Sequence, residues 1–524
     1  SDTADYADSA SFVNVSLLTG FASGGAGNHA TGDTFSSIEN LAGSDFNDLL
    51  SGDNSANVLQ GRGGADFLNG RGGNDTASYA GSNAGVNVSL STGYAAGGHA
   101  TGDTFSSIEN LGGSAFGDIL GGDAGANVLT GGDSDDVLRG GGGSDSLLGG
   151  SGSDTADYSD SASFVNVSLL TGLASGGAGN HATGDTFSSI ENLGGSALGD
   201  ILSGDAGANV LTGGDGDDVL RGGGGSDSLL GGSDSDTADY SDSVSFVNVS
   251  LLTGFASGGA GNHATGDTFS AIENLAGSSF NDLLNGDNSA NVLRGRGGAD
   301  FLNGRGGSDT ADYSESASFV NVSLLTGLAS GGAGNHATGD TFSSVENLTG
   351  SNFNDLLNGD NSANVLQGRG GGDFLNGHGG SDTASYAGSN AGVNVSLSTG
   401  YAAGGHATGD TFSSIENLTG SAYGDTLNGN NGANVLSGLG GNDLLRGRGG
   451  VDAFVFLADF GLDTVTDFAD GLELLDFSGN TQVNAIGDLS ISASGADALV
   501  ADSFGNQITI IGQAGHIDAS DFFF

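Results

Sequence analysis

Apolar side chains fall on a nine-residue beat along most of this chain. From Gly43 the sequence reads GSDFNDLLS, GDNSANVLQ, GRGGADFLN, GRGGNDTAS, with Gly first, Asp or Asn sixth and an apolar residue eighth. The register starts again at Gly113, Gly195, Gly277, Gly350 and Gly420, giving 26 nonapeptides in six blocks. A coarser repeat frames them: DTADY or DTASY recurs at Asp2, Asp75, Asp154, Asp236, Asp309 and Asp382. Self-similarity at a short fixed period marks a solenoid, in which each repeat buries its apolar side chains only against its neighbours.

The nonapeptide has a direct physical reading. Its first six residues, as in Gly61-Arg62-Gly63-Gly64-Ala65-Asp66, are rich in the residue that adopts positive φ freely, so they form a turn. The last three, Phe67-Leu68-Asn69, make a short strand with Leu68 inward and its neighbours outward, because side chains alternate. Successive strands then lie on opposite walls, and one coil takes eighteen residues. Turns eighteen apart stack about 4.8 Å from each other, which sets Asp48 beside Asp66 and Asn57 beside Asp75. The expected fold is all-β: a right-handed parallel β-roll or β-helix of about 25 coils at this spacing. Residues 1–451 form the six-unit solenoid in this reading, and residues 452–524 a C-terminal β cap.

Composition removes several function classes. The chain has 524 residues and 104 Gly, with no Pro, Cys, Met or Trp, and all ten basic residues are Arg. Set against 63 acids, they leave a formal charge of −53. That charge excludes a basic nucleic-acid surface and disfavours docking on an anionic membrane. No apolar run approaches the roughly 20 residues of a spanning helix. Absence of Cys excludes disulfides and Cys-based zinc sites. High Gly and high charge are a disorder signature, yet the regular apolar beat points to a stack that folds once its charge is neutralised. With no Met to initiate it, the sequence is expected to begin inside a longer product or after processing.

The neutralising partner follows from the sixth position. It is Asp in 20 of the 26 nonapeptides and Asn in the other six: Asn57, Asn127, Asn209, Asn291, Asn364 and Asn434. Two stacked carboxylates repel unless a cation lies between them, and a Gly-rich turn also aims bare carbonyls inward. Oxygen donors without imidazole or thiolate suit a hard cation, and flexible geometry favours Ca²⁺ over Mg²⁺. Turn propensity alone does not demand Asp at one fixed position.

The runs GRGGADFLN, GGGGSDSLL and GLGGNDLLR resemble the GGxGxDxUx repeats of the RTX family, exported calcium-binding proteins with a parallel β-roll. The resemblance covers the nonapeptide blocks, close to half of the chain, and implies Ca²⁺ between stacked turns. By position it implies that Asp48, Asp66, Asp75, Asp118, Asp136, Asp145, Asp154, Asp200, Asp218, Asp227 and Asp236 are metal ligands. The same implication extends to Asp282, Asp300, Asp309, Asp355, Asp373, Asp382, Asp425, Asp443 and Asp452. There are departures: Asp53 and Asp123 replace the second Gly of the motif, and GSDFND lacks two of its three glycines. Sites bounded by those turns are expected to be weaker.

Between blocks lie 34 to 37 residues containing VNVSL, then a Gly- and His-bearing stretch, then TFSSIENLA. Their length equals about two coils, so the solenoid is expected to continue through them. In TFSSIENLA, Glu39 (and Glu109, Glu191, Glu273, Glu346, Glu416) falls in the ligand slot; a solvated strand-edge Glu is the plainer reading. The recurring His29, His99, His181, His263, His336 and His406 stand about four coils apart and read as loop residues. From Val451 an aromatic-rich segment resembles the C-terminal region of serralysin-type RTX proteins. The ending Asp521-Phe522-Phe523-Phe524 looks like their type I secretion signal, which implies the type I secretion machinery as a partner.

The sequence has no HExxH, no Cys nucleophile and no Lys base, so it reads as no enzyme. The expected function is a secreted, calcium-binding structural protein, extracellular or on the cell surface, self-associating into a filament or surface-layer array. The alternative is an adhesin stalk, or the C-terminal RTX module of a larger secreted enzyme. Outward seventh-position residues such as Phe67, Phe301 and Phe374 suggest a lateral contact stripe.

Overall fold

A computed structural model describes all residues 1–524. The chain is all-β, built of short parallel strands stacked as a β-roll, with only four single-turn 3₁₀ segments. None of its helices is long and apolar enough to cross a membrane. It packs as two compact units, Ser1–Ser243 with Gly254–Asn274, and Val244–Thr253 with Leu275–Phe524.

In the first unit the eighteen-residue coil is explicit. Strand Leu49–Ser51 pairs in parallel with Phe67–Asn69, placing Leu50 opposite Leu68. On the facing wall Leu41 pairs with Leu59, and Leu59 with Ala77. Leu50, Leu59 and Leu68 are fully buried, while the outward Leu49 and Val58 are exposed. The second unit repeats the scheme: Leu284 lies opposite Leu302, and Leu357 opposite Leu375. Each wall is therefore a column of inward Leu side chains, each buried by the coils above and below.

The turns explain the glycines. Gly64 sits at φ +123°, and a Cβ there would strike the Phe46 carbonyl group of the turn below, at 2.6 Å from its carbon. Only Gly suits both the dihedral and the gap. The second position is also left-handed, at Arg62 (φ 71°), Arg296 (φ 65°) and Arg369 (φ 67°). Arg replaces the motif's Gly there and accepts the strained backbone.

The segments between blocks differ from a plain continuation of the coil. VNVSL is the expected half-buried strand, with Val13 and Val15 fully buried. It then doubles back: Val13–Ser16 pairs antiparallel with Phe21–Gly24, and Asn87–Ser89 with Tyr94–Ala96. The reversals run through Gly20 (φ 64°) and Gly93 (φ 68°), where positive φ permits a tight turn. The hairpin ends the ladder on its side, because its antiparallel strand presents no parallel edge for the turn before it. That earlier wall is closed instead by Thr104–Ser106 laid over Phe67–Asn69. The opposite wall runs on without a break through Asn110–Gly112, which pairs with both Thr76–Ser78 and Val128–Asp133.

At the end of the second unit both walls continue into residues 452–524. Phe454 lies over Leu436 and under Leu475, and Leu475 pairs with Phe522. Val465 stacks between Leu445 and Ile510. Antiparallel pairing of Ser490–Ser494, Asp497–Ala501 and Gln507–Ile510 then finishes that sheet. Phe456, Phe460, Phe477, Phe522 and Phe524 cluster with centroids 5.2–6.2 Å apart.

Candidate metal centre

The sixth residue of each nonapeptide stands where turn becomes strand, and backbone pairing fixes its partner. The Asp48 N–H donates to Asp66 Oδ1 at 2.7 Å, and the Asn57 N–H to Asp75 Oδ1 at 2.7 Å. The same bond joins Asp118 to Asp136, Asp136 to Asp154, Asp282 to Asp300 and Asp425 to Asp443. The expected juxtaposition of residues eighteen apart is thus present, and all twenty Asp side chains are at most 3% exposed.

These twenty fall into two sets. Asp48, Asp118, Asp200, Asp282, Asp355 and Asp425 open their blocks, and both of their oxygens are used. Ser44 donates its N–H and hydroxyl to Asp48, and the Val13 N–H reaches Asp48 Oδ1. Ser114, Ser196, Ser278, Ser351 and Ser421 do the same in their blocks. In the other fourteen, Asp66, Asp75, Asp136, Asp145, Asp154, Asp218, Asp227, Asp236, Asp300, Asp309, Asp373, Asp382, Asp443 and Asp452, Oδ2 is buried without any hydrogen-bond partner.

An unsatisfied buried carboxylate oxygen is costly, and the protonation equilibria show it. Burial pushes Asp66 up to about 8, with Asp103 and Asp48 adding repulsion against the N–H bond from Asp48. Asp300 rises to about 9 through burial and the charge of Asp340, and Asp136 to about 7 through burial, with Asp118 and Asp154 adding repulsion.

Carbonyl oxygens converge on the same points. A Cβ on Gly131 would meet Asp136 Oδ2 and also the Gly149 carbonyl oxygen of the next turn, 2.6 Å away. At Gly213 the pair is Asp218 Oδ2 and Gly231 O, again 2.6 Å away. The missing Cβ leaves a cradle bounded by one carboxylate and one carbonyl. No three His, Cys, Asp or Glu side chains cluster into a site, so a cation here takes backbone oxygens as well as carboxylate. An all-oxygen, flexible donor set of this kind fits Ca²⁺. When bound, the cation supplies positive charge to the orphaned oxygens; the chain itself supplies the register that brings them together.

Asn at the second position behaves differently from an uncharged oxygen donor. Asn57 Oδ1 accepts the Asp53 N–H at 2.8 Å, and its Nδ2 donates to the Glu39 carbonyl at 2.7 Å. It closes the slot with hydrogen bonds.

Sequence reasoning missed one recurring residue. Asp103, in the Gly- and His-bearing stretch, is buried and continues the carboxylate column. Its Oδ1 accepts the Asp66 N–H at 2.9 Å and its Oδ2 accepts the Tyr79 hydroxyl at 2.9 Å. Asp185 with Tyr158, Asp267 with Tyr240, Asp340 with Tyr313 and Asp410 with Tyr386 repeat it. The signal was available: every DTADY or DTASY tyrosine is followed, 24 or 27 residues on, by a TGD aspartate. The histidines stay dispersed: His99 and His406 lie in single-turn 3₁₀ segments rather than in loops, and His181 and His263 each face one aspartate at 3.1 Å. Phe67, expected as an outward stripe, is only half-exposed, since Leu49 and Thr104 flank it in the sheet.

A parallel β-roll whose stacked turns carry a column of buried carboxylates is the class of protein defined by this fold and site. The family profile of the RTX calcium-binding nonapeptide repeat (4 copies) matches residues 42–77, 121–156, 195–238, 276–311, 349–384 and 419–453. The chain therefore carries RTX calcium-binding nonapeptide repeats in six segments along its length. No curated protein matches it. Among solved structures it is similar to the extracellular lipase LipA from Serratia marcescens, with 19% identity over 65% of this chain. It spans 40% of that lipase chain, at a TM-score of 0.18.

Proposed function

We propose that this chain is a secreted, non-catalytic structural protein whose folding is driven by calcium outside the cell, and which assembles into a filament or surface-layer array. The observation that carries the reading is the set of fourteen buried, partnerless Asp oxygens. In a compartment poor in calcium such a chain stays unfolded, the state in which type I machinery exports proteins. At the calcium levels where extracellular modules bind, roughly 10⁻⁴–10⁻³ M, the coils close. Fourteen Ca²⁺ would bring the charge from −53 to about −25, relieving the self-repulsion that opposes compaction. Self-association is supported by a large apolar side chain at one fixed turn position of each block head: Phe46, Phe116, Leu198, Phe280, Phe353 and Tyr423 are each about half-exposed. Evenly repeated apolar positions suit contact with another copy of the same repeat. Light scattering and negative staining of the purified chain should show assemblies in millimolar calcium and none in chelator. A chain that folds with calcium yet stays monomeric would refute the array.

A further inference from the structure

In each block, of four nonapeptides or five, the last Asp keeps an orphaned oxygen that points out of the block. The Asp Oδ1 always faces the preceding turn, whose N–H it accepts; Oδ2 lies beside the first Gly of its own nonapeptide, toward the following turn. For Asp75, the last of its block, the following turn belongs to the TFSSIENL segment, outside the repeat motif.

That segment rebuilds the in-block arrangement with different residues. Where Gly131 faces Asp136 Oδ2 and the Gly149 carbonyl, Gly70 faces Asp75 Oδ2 and the Ser107 carbonyl. Where the Asp118 N–H donates to Asp136, the Asp75 N–H donates to Glu109 Oε2 at 2.9 Å. Ser107 holds a left-handed φ of 50°, which turns its carbonyl inward. The extra methylene of Glu lets a carboxylate two residues after that carbonyl reach the slot that Asp fills five residues after its Gly. The pattern recurs at four further block ends, where Glu191, Glu273, Glu346 and Glu416 accept the N–H of the last Asp at 2.9–3.0 Å. The carbonyls of Ser189, Ala271, Ser344 and Ser414 crowd the matching Gly, and all four residues have φ of 48–51°. In every case the last Asp is at most 1% exposed and its Oδ2 has no partner.

We infer that each of these five block ends is a divalent-cation site, formed by Asp75 Oδ2, the Ser107 carbonyl and the Glu109 carboxylate and by their counterparts. Calcium is then bound outside the nonapeptide motif as well as within it, and it ties each block to the segment that follows. The inference rests on the calcium-dependent reading above.

The test is calcium stoichiometry by equilibrium dialysis on the full chain and on a variant carrying Glu109→Gln, Glu191→Gln, Glu273→Gln, Glu346→Gln and Glu416→Gln. The amide keeps an oxygen to accept the Asp N–H and removes the charge. The variant should lose about five bound Ca²⁺ relative to the parent while keeping calcium-induced β circular dichroism. A parent that binds calcium with a variant of unchanged stoichiometry overturns the inference alone; a parent that binds none overturns the proposed function with it. Should the variant not fold, anomalous diffraction from terbium-soaked crystals of the parent decides the matter. Peaks between Asp75 and Glu109, and at the other four block ends, support the sites. Peaks confined to turns within blocks overturn them.

Discussion

Withdrawing calcium should unfold this protein near neutral pH, and protons should replace the metal. All fourteen orphaned aspartates have raised proton affinity. Asp66 and Asp373 rise to about 8, Asp300 to about 9, and Asp145, Asp218, Asp227 and Asp443 to about 7, each mainly through burial. Asp75, Asp236 and Asp309 rise to about 6 for the same cause. A carboxyl that binds its proton more tightly when folded makes stability fall as pH rises. The loss begins near the unfolded value of about 3.9 and is complete above the folded values. Eight of these residues lie in the first compact unit and six in the second. Counting only one pH unit for each of the seven in the first unit and the four in the second that rise to about 6 or above, ionisation costs about 10 kcal/mol in the first and about 5 kcal/mol in the second. Net domain stability is about 5–15 kcal/mol, so the metal-free, ionised fold is at or beyond its limit. Calcium at about ten times its Kd contributes about 1.4 kcal/mol per site, enough to offset one such unit. The assay is far-UV circular dichroism in metal-free buffer from about pH 9 down to about pH 4. The β signal should be absent at the alkaline end, appear as the pH falls through 9 to 6, and be present throughout in millimolar calcium. A metal-free chain that is fully β at about pH 8, or that loses β structure on acidification, would refute the reasoning.

Three further outcomes are expected. Gly131→Ala places a methyl group against Asp136 Oδ2 and the Gly149 carbonyl, so the midpoint of calcium-induced folding should move to higher concentration; an unmoved midpoint contradicts the cradle. Tyr313→Phe removes the donor to Asp340 Oδ2 and should cost about 1–3 kcal/mol in urea unfolding at saturating calcium, whereas a neutral result would show the pair to be dispensable. Phe477→Ala should lower the melting temperature by removing contacts with Phe456, Phe522 and Phe524, yet leave export through a type I host intact, while deletion of Asp521 to Phe524 blocks it; equal export of both would show that the ending is not read as a signal.

Much of this was legible because period and residue type act together. Gly first, Asp sixth and Leu eighth encode turn, slot and inward side chain, so the pairing of Leu50 with Leu68 and of Asp48 with Asp66 follows from counting. The hairpin Val13–Ser16 with Phe21–Gly24 did not follow, since VNVSLLTGFASG reads equally as a strand entering another coil. What decides it is a tight turn at Gly20, a dihedral preference that composition alone does not rank above continuation. Asp103 escaped because its spacing from Asp66 is not a multiple of nine. Its slot is set by the length of the inserted hairpin, a tertiary quantity. The last four residues read as a secretion signal at the end of the cap region, and their place in the packing is not legible: Asp521 is fully buried and accepts the Gly471 N–H, an interaction invisible without the fold.

The twenty-six slots form one device closed in three chemically distinct ways. At the head of a block, Ser44 and its counterparts satisfy the carboxylate with a hydroxyl and an N–H. At the second position, Asn57 answers neighbouring carbonyl and N–H groups with both ends of its amide. From the third position onward, Asp66, Asp75 and their equivalents keep one oxygen open. The departures from the consensus motif are therefore not decay: GSDFND loses glycines where a Ser cap takes over, and GDNSAN loses the acid where an amide suffices. Such a gradient makes the head of each block less dependent on metal than its tail, since Ser hydrogen bonds oppose the burial that raises the head aspartates. Folding would then begin at block heads and wait for cations at block ends, the places where the chain must be held against the inserted hairpin.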